Sequence, residues 1–391
     1  MFSRRTGWKL TVNRFTEAQR EVAAAGKEIL DLTVSNPTRA KLAVDLTHDQ
    51  LEIARTLTNP GVSDYDPQPK GLLTARESVR AYYRERQVEV DAESLVLTAS
   101  TSEGYSYAFR LLCDPGDEVL VPKPSYPLFE FLADLQDVKL VPYPLLYDHG
   151  WQMDLPTIHR STNDRTRAIV LVHPNNPTGS YVKSQERMAL NAFCSERGLA
   201  LIADEVFLDY PLDGERRESF ATNSEALTFT LSGISKISGL PQMKLAWIAT
   251  SGPNDVKNDA IARLEVIADT YLSMSAPIQL AADAMLDQRR RIQPALLKRI
   301  QANLQELDVQ LAAQKSCTRL LVEGGWYAVL RVPAIQSDED LAIKLLHKCS
   351  VLVHPGHFYD FPSDGYLVVS LIAPEDEFRE GLGRVLESLE K

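Results

Sequence analysis

The sequence predicts an α/β fold, with a doubly wound, mostly parallel sheet and a smaller α+β domain to which both termini contribute. Three observations support this prediction. Apolar runs of strand length alternate with amphipathic helical segments through the middle of the chain. These runs are rich in valine, isoleucine and leucine without polar alternation, which is typical of a sheet covered on both faces. After about residue 290 the pattern changes to charged helices and short strands, which indicates a second, smaller unit.

The N-terminal and central parts of the chain predict the following elements in order. A helix is expected over about residues 10–25, where Leu10, Phe15, Ala18 and Val22 recur near helical spacing. A short strand follows in EILDLTVSNPT and stops at an Asn-Pro turn. Further strands are predicted in SLVLTAS, EVLVPKPSYP, RAIVLVHPNNPTG, LALIADEVFLDYP, LTFTLSGIS and LAWIAT, with helices between them in TSEGYSYAFRLL and ERMALNAFCSERG.

The C-terminal part predicts a long amphipathic helix, then short strands, then a closing helix. The segments are RRRIQPALLKRIQANLQELDVQLAAQ, TRLLVEGGWYAVLRV, VLVHPG, YLVVSLIA and EDEFREGLGRVLESLEK. The closing helix carries its acidic residues early, as the helix dipole favours. We therefore expect residues 1–44 to pack with the small domain, residues 45–285 to form a large cofactor-binding domain and residues 286–391 to form the small domain.

The composition argues against some classes of partner. Lysine and arginine number 42 against 53 aspartates and glutamates, so the net charge of −11 offers no broad basic surface to nucleic acid or an anionic membrane. The N-terminus lacks the apolar run of a signal peptide, and no stretch approaches a membrane span in length. Four scattered cysteines form no CxxC pair and no zinc-type cluster. The sequence therefore predicts a cytoplasmic protein with reduced thiols, no metal site and a small-molecule partner.

Polar residues stand at the ends of the predicted sheet strands, where open α/β sheets bind their ligands. Each of them contributes a different chemical group. They are the hydroxyls of Thr101 and Ser102, the aromatic ring of Tyr126, the amide of Asn176, the carboxylate of Asp204 and the amine of Lys236. Thr101 and Ser102 also open a predicted helix, whose free backbone N–H groups favour a phosphate.

Pyridoxal phosphate uses all of these groups at once. Its phosphate needs an anion site, its ring needs a stacking partner, its pyridine nitrogen needs a carboxylate and its aldehyde needs a lysine for a Schiff base. Lys236 lies among small and apolar residues in TLSGISKISGL, where poor hydration lowers the pKa of an amine. Taken singly, each residue has an ordinary structural explanation, such as an exposed lysine or a turn aspartate, but the ordered set favours a cofactor site.

The chain resembles the fold-type I, class I/II aminotransferases that use pyridoxal phosphate. The motifs that carry the resemblance are YDPQPKG, GDEVLVPKPSYP, NNPTG, ADEVF, SGISK followed by LPQMKLAW, GGWYAVL and HPGHF. The resemblance implies that Lys236 forms the Schiff base and shuttles a proton, while Asp204 pairs with the pyridine nitrogen. It further implies that Asn176 bonds the 3-oxygen of the cofactor and that Tyr126 stacks on its ring.

The resemblance also implies how the phosphate is held and how the chain assembles. Thr101 and Ser102 match the phosphate-binding turn, and Ser235 is a possible addition. Lys244 lies where the family usually has a phosphate-binding arginine. Tyr65 matches a tyrosine that reaches the phosphate of the neighbouring subunit, which implies a homodimer with shared active sites.

Two other positions depart from the family pattern in ways that bear on the chemistry. Phe207 stands where a tyrosine usually donates a hydrogen bond to the 3-oxygen of the cofactor. Val368, in the strand YLVVSLIA, stands where an arginine usually grips the α-carboxylate of the substrate. An aliphatic side chain cannot bind a carboxylate, so either another cation does so or the substrate has no carboxylate at that point.

The loop that begins SNPT offers the first candidates for substrate binding. We expect Asn36 and Arg39 to contact the substrate, because the corresponding loop of the family lies near it, while His357 and Lys70 are weaker candidates. The favoured function is an aminotransferase that moves an amino group between an amino acid or amine and a keto acid. Two alternatives remain open: a lyase, cyclase or decarboxylase on the same cofactor, and a non-catalytic binding protein on the same fold.

Overall fold

A computed structural model describes residues 1–127 and 129–390 of the chain. Its helices are α1 Arg14–Ala24, α2 Thr47–Leu57, α3 Leu73–Glu85, α4 Thr101–Leu112, α5 Phe129–Asp134, α6 Leu155–Ser161, α7 Ser184–Arg197, α8 Ile234–Ile237, α9 Asn254–Tyr271, α10 Ala276–Leu280, α11 Ala282–Asp287, α12 Arg289–Ala312, α13 Asp338–Cys349 and α14 Glu375–Glu390. Its strands are β1 Leu30–Asp31, β2 Leu95–Thr98, β3 Glu118–Lys123, β4 Lys139–Tyr147, β5 Trp151–Met153, β6 Thr166–Val172, β7 Ala200–Asp204, β8 Thr228–Gly233, β9 Ala246–Ser251, β10 Thr318–Arg319, β11 Tyr327–Arg331, β12 Val351–Leu352, β13 His354–Pro355 and β14 Tyr366–Ser370.

The central element is an eight-stranded sheet in the order β2-β9-β8-β7-β6-β3-β4-β5. Strands β4, β3, β6, β7 and β8 run parallel, whereas β9 is antiparallel to both β8 and β2, and β5 is antiparallel to β4. Both faces are covered, because Leu201 and Ile202, adjacent in β7, lie in two different hydrophobic clusters. The predicted α/β fold with a mostly parallel sheet is therefore confirmed.

The parallel strands present their carboxyl ends along one edge of this sheet. Strand β7 ends at Asp204 and β8 leads directly into the short helix α8, which carries Lys236. Two residues separate the end of β2 from the start of α4, and the second of them, Ser100, caps the helix by accepting from the N–H of Glu103 at 3.2 Å. The Glu103 carboxylate in turn accepts from the Ala99 N–H at 2.7 Å. These caps fix the direction in which the N-terminus of α4 faces the strand ends.

The N-terminal segment packs against the C-terminal part of the chain. Strand β1 pairs in parallel with β12, and a second sheet of four strands has the antiparallel order β10-β11-β14-β13. Phe15 and Leu32 belong to the same hydrophobic core as Phe378 and Leu382 of α14. The domain boundaries at residues 44/45 and 285/286 stay predictions.

The first helix differs from the prediction at its N-terminal end. It begins at Arg14, because the Asn13 side chain caps it by accepting from the Thr16 N–H at 2.7 Å. Leu10 therefore lies outside the helix and is 86% exposed, whereas Phe15 is buried as expected. Within the described residues no helix combines the length and the apolar character needed to cross a membrane, and no cysteine is in a disulfide.

Candidate active site

A cavity of about 320 Å³ lies at the carboxyl ends of β6, β7 and β8 and at the start of α4. Its volume is in the range of small-molecule and cofactor sites. Eight of the predicted residues line it, namely Thr101, Ser102, Tyr126, Asn176, Asp204, Ser235, Lys236 and Lys244. The structure therefore brings together groups that are separated by more than 140 positions in the sequence.

Lys236 is held in an aromatic and poorly hydrated setting. Its Nζ donates a hydrogen bond to the backbone carbonyl of Ser35 at 3.1 Å. The same atom lies 4.8 Å from the ring centre of Trp326 and 5.5 Å from that of Phe207. Burial lowers the pKa of Lys236 to about 8, although the nearby Asp204 carboxylate raises it in part. About 10% of this amine is therefore neutral, and nucleophilic, at pH 7.

Gly233 lets the two strands beside Lys236 approach closely. A Cβ atom added to Gly233 would lie 2.8 Å from the Cβ of Ala246 and 3.0 Å from the carbonyl oxygen of Leu245. Gly233 also forms part of the cavity wall. Gly233, three residues before Lys236, thus allows β8 to pack closely against β9 and also shapes the cavity.

Asp204 is oriented by two hydrogen bonds at the end of β7. Its Oδ1 accepts from the N–H of Val206 and its Oδ2 accepts from the hydroxyl of Tyr105, each at 3.1 Å. Burial raises the pKa of Asp204 to about 6, while the two hydrogen bonds and the charge of Lys236 lower it. The carboxylate is mainly ionised at neutral pH in a setting with little water, so a cationic ligand group is the partner that it lacks.

The start of α4 makes the cavity suited to an anion. The first N–H groups of a helix have no partners within that helix, and Thr101 and Ser102, the first two residues of α4, line the cavity. Lys244 lines the same cavity with an exposed side chain that forms no ion pair with any described residue. A helix N-terminus together with a lysine favours a phosphate group.

Asn176 contributes a buried amide to the cavity wall. Its side chain is only 8% exposed, and its Oδ1 has no hydrogen-bond partner among the described residues. A buried carbonyl oxygen without a donor is unfavourable. The N–H group of the same amide is the part that can donate to an oxygen of a ligand. The Asn176 amide, the acid Asp204, the amine Lys236 and the anion site together fit pyridoxal phosphate.

Comparisons with known proteins place the chain in a family. The family model for aminotransferase class I and II matches residues 27–383. The chain belongs to the class I and II aminotransferases. This confirms the resemblance inferred from the motifs. The matched residues include those that line the cavity around Lys236.

Individual class I and II aminotransferases match at low identity over much of the chain. The glutamate-pyruvate aminotransferase AlaA of Escherichia coli strain K12 is 31% identical over 274 residues, which cover 69% of this chain and 66% of that protein, just under two thirds of its length. The alanine aminotransferase of Mycobacterium tuberculosis strain H37Rv is 27% identical over 357 residues, covering 88% of this chain and 81% of that protein. The structure of an alanine aminotransferase from Pyrococcus furiosus superposes over 100% of both chains with a TM-score of 0.90 at 21% identity, which shows a shared fold.

Three of the predicted binding residues do not line the Lys236 cavity. Tyr65 is 84% exposed and borders a different cavity with Asp64, so its contact with a neighbouring subunit stays a prediction. The Asn36 Oδ1 accepts from the N–H of Thr38 at 3.0 Å and from its hydroxyl at 2.8 Å, and thereby caps a 3-10 turn. Arg39 ends that turn with an exposed side chain. Substrate binding by Asn36 and Arg39 also stays a prediction.

Val368 is buried in the small sheet and offers no group that could bind a carboxylate. It is 1% exposed in the middle of β14, where it pairs with Val329 on one side and His354 on the other. Of the weaker candidates, Lys70 is ion-paired with Glu93 at 2.5 Å. Neither Lys70 nor His357 is among the residues that line the cavity.

Four residues contribute to the site without having been predicted from the sequence. Tyr105 donates to Asp204, Ser35 accepts from Lys236, Trp326 packs by the lysine and Tyr327 lines the cavity. A signal was present for Tyr105, since it lies one helical turn after Thr101 on the same face of α4. Trp326 and Tyr327 lie within the quoted motif GGWYAVL, but nothing in the motif itself indicates which side chains face the lysine.

Proposed function

We propose that this chain is a pyridoxal-phosphate-dependent aminotransferase, in which Lys236 is the amine that binds the cofactor. One observation carries the proposal: an amine with its pKa lowered to about 8 shares a cavity with an oriented acid and a helix N-terminus. Membership of the class I and II aminotransferases supports transamination. The names of the relatives give no support to the lyase, cyclase or decarboxylase alternative.

Each end of the cofactor would have its own set of residues. When bound, pyridoxal phosphate supplies an aldehyde for an amine and a ring that draws electrons away from the substrate carbon. Asp204 would keep a proton on the ring nitrogen, Asn176 would bond the 3-oxygen and Tyr126 would cover the ring. The phosphate would be bound by Thr101, Ser102, Ser235 and Lys244, and by Tyr65 of a second copy of this chain in a homodimer.

Lys236 would also act as the proton carrier of the reaction. A pKa of about 8 lies near the working pH, so Nζ can accept a proton from the amino-bearing carbon of the substrate and then release it. The Ser35 carbonyl, which accepts from Nζ at 3.1 Å, orients the amine. Asp204, whose carboxylate is held by the Val206 N–H and the Tyr105 hydroxyl, would stabilise a positive charge on the protonated ring nitrogen of the cofactor.

The relatives suggest the first substrates to test. They are named glutamate-pyruvate and alanine aminotransferases, so alanine with 2-oxoglutarate and glutamate with pyruvate are the first pairs of amino donor and keto acceptor. We further propose a cytoplasmic location, which the low cysteine count and acidic composition favour.

Reductive trapping tests the proposal directly. Borohydride added to the protein with pyridoxal phosphate should fix a pyridoxyl group to the peptide that contains Lys236, as read by mass spectrometry. Lys236→Ala should lose this label, and Lys236→Arg keeps a cation without a nucleophile as the matched control. Labelling at another residue, or labelling of either variant to the same extent as the original protein, would contradict the proposal. Formation of a keto acid from the donor supports transamination, whereas release of ammonia or carbon dioxide without an acceptor would favour the alternative chemistry.

A further inference from the structure

The helix that carries Lys236 is too short to satisfy its own backbone. The last four carbonyl groups of an α-helix have no partners within it, and α8 has only 4 residues, from Ile234 to Ile237. The Ile234 carbonyl accepts from the N–H groups of Ser238 and Leu240, at 3.0 and 3.2 Å. The carbonyls near the end of α8 therefore depend on donors outside the helix.

Side chains from two other segments provide these donors. The Tyr210 hydroxyl, in the loop after β7, donates to the Lys236 carbonyl at 2.6 Å. The side-chain amides of Gln293 and Gln288 donate to the carbonyls of the next two residues, at 2.9 and 2.8 Å. Three successive carbonyls, at the end of α8 and directly after it, are thus each bound by a side chain.

Tyr210 contacts both the backbone of Lys236 and the tryptophan that packs by its amine. It is 0% exposed, and burial raises the pKa of its hydroxyl, which therefore stays protonated and can donate. Its ring packs edge-to-face with that of Trp326, with the ring centres 5.2 Å apart. Since the Trp326 ring centre lies 4.8 Å from Nζ, Tyr210 supports the lysine at its carbonyl and, through Trp326, at its amine.

The two glutamines connect the same segment to α12. Gln288 is buried and directly precedes Arg289, where α12 begins, and Gln293 lies within that helix. The Gln293 amide also donates to the buried Asp209 carboxylate at 2.6 Å, and Asp209 directly precedes Tyr210. The loop after β7 and the start of α12 are therefore bound to each other as well as to the end of α8.

We propose that Tyr210 is a positioning residue for Lys236, which acts by holding the lysine carbonyl, and that Gln288 and Gln293 support it. The side chain of a lysine is long and flexible, so the place of Nζ depends on a fixed backbone as well as on the Ser35 carbonyl that accepts from it. A nucleophile held in one place reacts faster with a bound aldehyde. This inference rests on the proposed function, because it concerns the reaction of Lys236 with the cofactor.

A matched pair of tyrosine variants tests the inference. Tyr210→Phe removes the hydroxyl and keeps the ring against Trp326. Tyr143→Phe is the control, because Tyr143 is also 0% exposed and also donates to a backbone carbonyl, that of Val170 at 2.8 Å, in a different hydrophobic cluster. Each variant loses one buried hydrogen bond of the same kind, so the free energy of unfolding should fall by a similar amount in both.

The measurement is the rate at which the ligand-free protein captures pyridoxal phosphate between pH 6 and 10. Stopped-flow absorbance gives a plateau at high pH, where the amine of Lys236 is neutral, and a midpoint, which reports the pKa of that amine. In Tyr210→Phe the plateau should fall about tenfold while the midpoint stays unchanged, because the amine keeps its surroundings but is held less firmly. In Tyr143→Phe both values should stay unchanged.

Three results would overturn the inference. The first is a plateau in Tyr210→Phe equal to that of the original protein, and the second is an equal fall of the plateau in Tyr210→Phe and Tyr143→Phe, which would reflect lost stability alone. The third is a shifted midpoint with an unchanged plateau, which would mean that the hydroxyl acts on the pKa of the amine and not on its position.

A pair of glutamine variants keeps the inference testable should Tyr210→Phe fail to fold. In Gln293 and in Gln310, about 25 Å further along α12, the side-chain amide donates to one carboxylate and one backbone carbonyl. Gln293→Met should lower the plateau at least about threefold, and Gln310→Met should leave it unchanged. Equal plateaus in these two variants would overturn the inference.

The two proposals fail in different ways. Absence of the pyridoxyl label on Lys236 of the original protein after borohydride would refute the proposed function itself. A labelled Lys236, together with equal plateaus in Tyr210→Phe and Tyr143→Phe, would refute the positioning role of Tyr210 alone.

Discussion

Replacing Asp204 with asparagine should shift the pH at which Lys236 captures pyridoxal phosphate to a lower value. Burial lowers the pKa of the Lys236 amine to about 8, and the Asp204 carboxylate opposes that shift by favouring the charged form. Asparagine removes the charge while its side-chain oxygen can still accept from the Val206 N–H. The pKa of Lys236 should therefore fall below about 8, since desolvation is no longer opposed.

The size of the effect at neutral pH is bounded by the fraction of neutral amine. With a pKa of about 8, about 10% of Lys236 is neutral at pH 7, compared with about 0.04% of an exposed lysine. The capture rate of Asp204→Asn at pH 7 can therefore rise by at most about tenfold. Turnover should change in the opposite direction, with a loss of about 10²–10³-fold, because nothing holds the proton on the ring nitrogen.

Stopped-flow absorbance of the ligand-free protein mixed with pyridoxal phosphate, from pH 6 to 10, measures the capture rate. In the original protein the rate should fall as pH drops through about 8, as the amine becomes protonated. Tyr105→Phe is the control, since it removes a hydrogen bond to Asp204 and leaves the carboxylate in place. A midpoint that stays near 8 or rises in Asp204→Asn would refute the electrostatic coupling of the two groups.

Three further predictions concern the cofactor and the stability of the fold. Phe207→Tyr should lower the midpoint of the pH-dependent absorbance change of the bound cofactor, because a new hydroxyl would stabilise its ionised 3-oxygen; an unchanged spectral titration would contradict this. Gly179→Ala should lower the free energy of unfolding, measured in urea, by about 2–4 kcal/mol. The reason is that φ is +70° and that the added Cβ would lie 2.4 Å from Val322 Cγ2. A loss below about 1 kcal/mol would show that the turn relaxes. Asp209→Ala should cost about 2–4 kcal/mol by the same measurement, because it removes a buried acceptor from the partly buried Arg86 guanidinium, the Tyr82 hydroxyl and the Gln293 amide, and Asp209→Asn should cost less.

The strand-end rule explains why so much of the candidate site could be predicted from the sequence. Asp204 ends the apolar run ALIAD and Lys236 follows the strand TFTLSG, and these two parallel strands end along one edge of the sheet. The orientation of β9 could not be predicted in this way. Its sequence LAWIAT is as apolar as those of the parallel strands. Only the pairing with β8 and β2 shows that β9 is antiparallel.

Contacts made by backbone atoms or by distant segments could not be predicted. The acceptor for Lys236 is the carbonyl of Ser35, which lies 201 residues earlier in the chain, and every residue type carries such a carbonyl. The position of Trp326 beside the amine depends on how the small sheet packs on the loop after β7. Leu10 is exposed because the helix begins only at Arg14. It begins there because Asn13 is a better N-cap than the residues before it.

The opposite pKa shifts of Lys236 and Asp204 explain why this cavity favours one kind of ligand. Burial lowers the pKa of the amine from 10.5 to about 8 and raises the pKa of the acid from 3.8 to about 6, so both shifts disfavour the charged forms. Protonated Asp204 contributes to the stability of the folded state, and this contribution is lost as pH rises through about 6. Neutral Lys236 also contributes to the stability of the folded state, and this contribution is lost as pH falls through about 8. Between these values the ligand-free protein holds both groups mainly charged in a poorly hydrated cavity. A ligand that combines an aldehyde for the amine with a basic ring nitrogen for the acid relieves both unfavourable charges, and an anion or an amine alone relieves at most one.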